Sequence, residues 1–233
     1  MGKKMIDFNY NSVYSSGPLQ YLKRPTEKFG LLFEPIPVGF DIDRDSPIGC
    51  PHIEKHFDVS TVKKFEEIFL TVRDDATAAI EIGVDAYFND PRGNVTVESS
   101  TSIIHRNKKK GTIYVGIDLN DKTRLNNTEN NIFTIQNDSA NCTSIFQRLN
   151  ELGLQHKKVD FIYIDGYHSI RQVFIEWEYI TNFLSKNGVA LFHDTNYHPG
   201  SRLLFDAIDP QIFTTKKYFI DEANWGLGEI RFK

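Results

Sequence analysis

The chain has 233 residues, 40% hydrophobic and 25% charged, with 27 Lys plus Arg against 31 Asp plus Glu for a net charge of −4. That length suits a single α/β domain with a sizeable core, and the mildly acidic balance gives no electrostatic reason to hold nucleic acid. Two cysteines, Cys50 and Cys142, build no disulfide framework; no leader-like or bilayer-length apolar run stands out, so the expected setting is the cytoplasm with no membrane partner.

Residues 1–58 mix glycine, proline and aromatics without a period, as in Ser16-Gly17-Pro18 and Phe33-Glu34-Pro35-Ile36-Pro37. The stretch is too apolar for a disordered tail. It reads as an irregular N-terminal extension packed on a main domain that covers residues 59–233. Within it, Cys50, His52 and His56 have a metal-like spacing, but Glu54 stands one place late for the H-E-x-x-H motif, so no protease chemistry follows.

From Val59 to Val72 the apolar residues Val62, Phe65, Ile68, Phe69 and Val72 recur at helical spacing, with Ser60 able to cap. Five short runs then read as strands: 78–83, 112–118, 131–135, 159–165 and 188–194. They are rich in β-branched and aromatic residues, as strands buried on both faces are. Helical patterns at 140–152 and 169–184 sit between them, and 211–219 and 226–232 are two further strand candidates. Alternation of this kind predicts a doubly wound, mostly parallel sheet.

Ligands of open α/β sheets bind beyond the carboxyl ends of the strands. Here those ends carry Glu81 and Gly83, then Asp118, then Asp138, then Asp165, and finally His193 and Asp194. Asp118 suits a pair of ribose hydroxyls, with a helix cap as the alternative. Asp138 suits an adenine amino group, or equally an N-cap role in competition with Ser139. After Gly83 no G-x-G-x-x-G follows, only a long polar segment, which argues against a pyrophosphate and so against NAD. In Ser99-Ser100-Thr101 a helix N-terminus could face a carboxylate, which puts Ser100 beside the cofactor. Asp165-Gly166-Tyr167-His168 and His193-Asp194-Thr195 follow adjacent strands, and their carboxylates and histidine suit a divalent cation.

In this order, Glu81-Ile82-Gly83, Gly116-Ile117-Asp118, Asp138, Ile164-Asp165-Gly166-Tyr167-His168, Gly188 and His193-Asp194-Thr195 resemble the class I S-adenosylmethionine-dependent methyltransferases. The likeness is to the group with I-D-G-x-H and H-D-T motifs, which includes metal-dependent sugar O-methyltransferases and cephalosporin hydroxylase-like proteins. It covers roughly residues 77–209. The resemblance implies a seven-stranded sheet whose last strand is antiparallel, and S-adenosylmethionine lying across Glu81, Gly83, Asp118 and Asp138; Ser100 and Asp165 are further cofactor-binding candidates. It further implies a metal such as Mg at Asp165, His193 and Asp194, where His193 replaces an acidic ligand, and His168 as the catalytic base. The expected function is O-methylation of a small polar acceptor such as a sugar. The alternatives are a binding module that has lost catalysis and, against the missing glycine fingerprint, a nicotinamide-dependent oxidoreductase.

Overall fold

The computed structural model describes residues 21–37, 41–44, 59–84, 98–154, 158–220 and 225–233. The Cys50, His52 and His56 trio and most of the segment after Gly83 lie outside them.

A seven-stranded sheet forms the centre. In chain order its strands are β3 (Ala78–Ile82), β4 (Ile113–Asp118), β5 (Ile132–Gln136), β6 (Val159–Ile164), β7 (Leu184–His193), β8 (Phe213–Tyr218) and β9 (Leu227–Phe232). They lie in the order β5-β4-β3-β6-β7-β9-β8. The first five are mutually parallel, and β9 runs antiparallel to both β7 and β8. The chain leaves β3 toward β4 on one side and returns to β6 on the other. The switch point, and the crevice it creates, therefore lie above β3 and β6.

Strand alternation assigns the two faces. Ala79, Tyr114, Phe161, Tyr163, Val189 and Leu191 pack against α1 (Val59–Arg73) and α2 (Ser100–Asn107). Phe65 and Phe69 of α1 meet Phe161 edge-on at 5.6 and 4.9 Å between ring centroids, the arrangement aromatic quadrupoles favour. On the other face, Ile80, Ile82, Val115, Ile117, Ile162, Ile164, Ala190 and Phe192 pack against α3 (Cys142–Glu151), α4 (Ile170–Phe183) and α5 (Pro199–Ala207).

The helix and strand boundaries fall within a few residues of those read from the pattern. One difference is the end of α4: the helix stops at Phe183 and β7 begins at Leu184, earlier than the run from Gly188 indicates. Leu184 and Val189 pair with Val159 and Phe161, so the exposed Lys186 and Asn187 fall in an irregularity of the strand.

A larger difference lies in the N-terminal part. Residues read as irregular form an antiparallel hairpin, β1 (Tyr21–Thr26) with β2 (Leu31–Pro37). Pro35 and Pro37 obscure the strand, yet prolines are tolerated where a strand stands at an edge. Leu31 and Phe33 alternate inward with the exposed Leu32 between them. The hairpin docks through backbone as well: Trp177 Nε1 donates to the Phe29 carbonyl at 3.0 Å and Asp209 N to the Gly30 carbonyl at 2.8 Å.

Candidate active site

At the carboxyl rim the first acidic residue, Glu81, is closed off. Its side chain is 0% exposed and its oxygens accept from the hydroxyls of Ser100 (2.5 Å), Thr101 (2.9 Å) and Tyr114. Strand parity explains this. Glu81 points to the face covered by α2, whose first turn brings Ser100 and Thr101, while Ser99 caps the helix by accepting from Ser102 N. Gly116 leaves the space, since a Cβ there would sit 2.9 Å from the Tyr114 hydroxyl. Burial pushes the Glu81 carboxyl up to about 7, against the pull of the three hydroxyls. Two residues expected at the cofactor thus have their side chains engaged with the protein itself. Glu81 and Ser100 hold one another, so neither offers a free side chain to a cofactor, and the carboxylate that faces the start of α2 is the protein's own.

Gly83 follows at φ +81°, in the left-handed region, and a Cβ there would lie 1.9 Å from the Asp165 carbonyl oxygen. Only glycine lets the ends of β3 and β6 approach this closely. Asp118 holds the same turn from the other side: Oδ2 accepts from Val84 N at 2.9 Å and Oδ1 from Asn120 N at 2.8 Å. Asp138 is exposed, and its Oδ1 accepts from Ala140 N at 2.9 Å. The N-cap of α3 is neither Asp138 nor Ser139 but Asn141.

Asp165, His168, His193 and Asp194 converge, as the two motifs require. Asp165 is 8% exposed, His168 4%, His193 0% and Asp194 4%. His193 Nδ1 lies 3.1 Å from Asp165 Oδ1 and 2.8 Å from Asp194 Oδ1. His168 Nε2 lies 3.4 Å from Asp165 Oδ1 and 3.2 Å from Asp194 Oδ2. Each carboxylate is therefore flanked by both imidazoles. Burial alone would raise the two carboxyl pKa values. The neighbouring histidines outweigh it, holding Asp165 at about 2 and Asp194 well below the usual range. Burial likewise opposes charge on the histidines, and the carboxylates overcome it, lifting His168 to about 10 and His193 well above its ordinary value.

Metal fit can be judged from these donors. One atom each of Asp165, His168 and Asp194 lie within 4.8 Å of one another. The buried Asp194 Oδ1 has no aligned hydrogen bond, although His193 Nδ1 is close. Asp194 itself adopts φ +61°, a conformation Asp tolerates better than most residues and one that clusters at functional sites. Two buried carboxylates so arranged fit a divalent cation, with an imidazole beside them. The imidazole that shares this space with the two carboxylates is that of His168. His193 is the last residue of β7 and clamps both carboxylates from within the sheet, whereas His168 approaches from the turn after β6.

Sequence reasoning missed several members of this cluster. Tyr163 donates to Asp165 Oδ2 at 3.2 Å, Ser201 Oγ lies 3.3 Å from His168 Nδ1, and His198 Nε2 lies 3.4 Å from Asp194 Oδ2. Tyr163 was within reach of the alternation rule, being two residues before Asp165; Ser201 and His198 enter only through the docking of α5. A cavity of about 200 Å³ lined by Thr77, Ala78, Ile113 and Leu154 lies at the opposite end of the strands, away from this chemistry.

The strand order, the switch-point crevice and the acidic rim are those of one fold family, and the sequence comparison agrees. A family described as "Methyltransferase domain" matches residues 91–195. That match spans less than half of the chain, and the fold is that of the class I S-adenosylmethionine-dependent methyltransferases. Among solved structures, the chain is similar to MycE, a methyltransferase from the mycinamycin biosynthetic pathway in complex with Mg and SAH. Identity is 16%, with 73% of this chain and 48% of MycE covered at a TM-score of 0.53. It is also similar to CalS11, a TDP-rhamnose 3′-O-methyltransferase in calicheamicin biosynthesis. Identity there is 12%, with 75% of this chain and 81% of CalS11 covered at a TM-score of 0.52. At these identities the likeness is one of fold. The chain spans about half the length of MycE. No match was found among curated proteins. No helix among the described residues is long and apolar enough to cross a membrane.

Proposed function

We propose that the domain transfers the methyl group of S-adenosylmethionine to a hydroxyl of a small polar acceptor, a sugar above all, with a divalent cation such as Mg at Asp165 and Asp194. The observation that carries this reading is the buried convergence of Asp165, His168 and Asp194 at the rim beside the switch point. The names of two fold neighbours are consistent with it: one was solved with Mg and SAH, the other methylates TDP-rhamnose.

In this reading the donor lies across the crevice. Asp118 accepts from the ribose hydroxyls, each carboxylate oxygen having a lone pair beyond the one its backbone partner uses. Asp138 meets the adenine amino group, and Gly83 lets the donor approach backbone. Glu81 and Ser100 act at one remove, tying α2 to β3.

When bound, the cation supplies Lewis acidity toward the acceptor hydroxyl and cancels the charge of the two carboxylates. His168 Nε2, beside the two carboxylates, would take the acceptor proton. Ser201, at Nδ1, fixes the ring, and His193 keeps the two carboxylates apart and oriented.

Calorimetry with S-adenosylhomocysteine, followed by mass spectrometry of nucleotide sugars incubated with S-adenosylmethionine with and without a chelator, tests the proposal. Donor-product binding and a cation-dependent mass gain of one methyl are expected. A folded chain that binds no S-adenosylhomocysteine overturns it.

A further inference from the structure

Behind Asp138 lies a chain of polar side chains that the reaction above does not use. Glu176, on α4, is 0% exposed within the otherwise apolar stripe of Val173, Trp177 and Ile180. Its Oε1 accepts from the Ser139 hydroxyl and lies 3.2 Å from Gln172 Nε2, while the buried Oε2 has no partner. Gln172 Nε2 also lies 2.6 Å from Ser139 Oγ and 3.1 Å from Asp138 Oδ1. The group sits under the crevice. Ser139 follows β5, and a Cβ on Gly166, beyond β6, would be 3.8 Å from Glu176 Oε1.

With Glu176 accepting through Oε1, its own proton where present lying on Oε2, one set of directions satisfies these contacts. The donors are the two amide hydrogens of Gln172 and the single hydroxyl hydrogen of Ser139. The acceptors are Asp138 Oδ1, Ser139 Oγ and Glu176 Oε1. Ser139 gives its one proton to Glu176, so it must accept from Gln172. Gln172 therefore presents its NH₂ and not its carbonyl, and its second hydrogen lies between Asp138 Oδ1 at 3.1 Å and Glu176 Oε1 at 3.2 Å. Asp138 Oδ1 is then filled by Gln172 and Ala140 N, which leaves Oδ2 as the oxygen turned to a ligand. An acceptor so fixed is complementary to an exocyclic amino group and repels an oxo group in the same place.

We infer that Gln172, oriented by Ser139 and Glu176, is a positioning residue that makes Asp138 a reader of an amino group, and so sets a preference for an adenine-bearing donor over its hypoxanthine counterpart. The inference rests on the donor binding proposed above.

The experiment compares calorimetric Kd values for S-adenosylhomocysteine and S-inosylhomocysteine in the full chain and in Gln172→Leu, with circular dichroism confirming the fold. The wild type should prefer the adenine form by at least about tenfold, the scale of one hydrogen bond to a charged group. Gln172→Leu should bring that ratio to about twofold or less. Ser139→Ala, which removes the acceptor that orients Gln172, should lower the ratio in the same direction, and it carries the test alone if Gln172→Leu does not fold. A folded variant with an unchanged ratio overturns the inference. So does an equal loss for both ligands, which is what a merely structural residue would produce, and so does a wild type that binds both equally. Failure of the wild type to bind either ligand instead removes the donor reading itself.

Discussion

Glu81 and Asp165 end neighbouring strands, and both are shut away from solvent, yet they are made into opposite things. Glu81 is surrounded by three hydroxyls and no cation, so burial wins and its carboxyl moves up to about 7. Asp165 is flanked by His168 and His193, so charge wins and its carboxyl is held at about 2. Hydroxyls satisfy lone pairs without supplying charge; imidazoles supply charge that a divalent cation can replace. The partner, more than the position along the rim, separates a carboxylate that ties two elements together from one that can do chemistry.

The comparison breaks most visibly at His168. Replacement by Ala should lower methyl transfer by roughly 10²–10⁴-fold while S-adenosylhomocysteine affinity stays within a few fold. Turnover at the wild-type rate on an identified acceptor would move the proton elsewhere. Asp194→Asn keeps the side-chain shape and the tolerated positive φ but removes one charge of the pair. Breaking a buried ion pair typically costs about 3–5 kcal/mol. A clear fall in melting temperature is expected, together with loss of any stabilisation by Mg²⁺; a melting temperature that still rises with the cation would place it on other ligands.

On the other side of the comparison, Glu81→Ala strands three hydroxyls in the interior and should cost about 2–4 kcal/mol by chemical denaturation, with no direct loss of a donor contact. Glu81→Gln sharpens the point through pH. In the folded protein Glu81 keeps its proton up to about 7, against an ordinary value of 4.5. Its contribution to stability is therefore fully present below about 4.5 and is lost as pH rises through about 7. Glu176, also raised to about 7 by burial, adds to the same slope. The wild type should lose stability across this window, by roughly 3 kcal/mol from Glu81, and Glu81→Gln should flatten that part of the curve. Equal slopes in both proteins would mean that Glu81 is charged throughout. The smallest effect belongs to Tyr114→Phe, which removes one of three hydroxyls and should cost about 0.5–1.5 kcal/mol.

Much of this was open to reading from the chain. The strands announce themselves because residues buried on both faces must be apolar nearly without interruption, and Asp118, Asp138, Asp165 and Asp194 stand out because each interrupts such a run at its carboxyl end. Glu176 was legible in principle, as a carboxylate inside a helical apolar stripe, but nothing in the stripe names Ser139 or Gln172 as its company. The hairpin at 21–37 was hidden by its prolines, since edge strands need no regular pattern of donors.

Local sequence, then, determined the α/β architecture, the rim of acids and the pairing of the Asp165 and Asp194 motifs, because periodicity and strand ends are properties of neighbours along the chain. Which side chain meets which was decided only in three dimensions. The parity of β3 turns Glu81 toward the α2 hydroxyls, the parity of β7 turns His193 inward as a clamp, and the docking of α5 brings Ser201 to His168. A carboxylate's charge depends on partners that lie tens of residues away, so its role is settled by packing and not by its own place in the sequence.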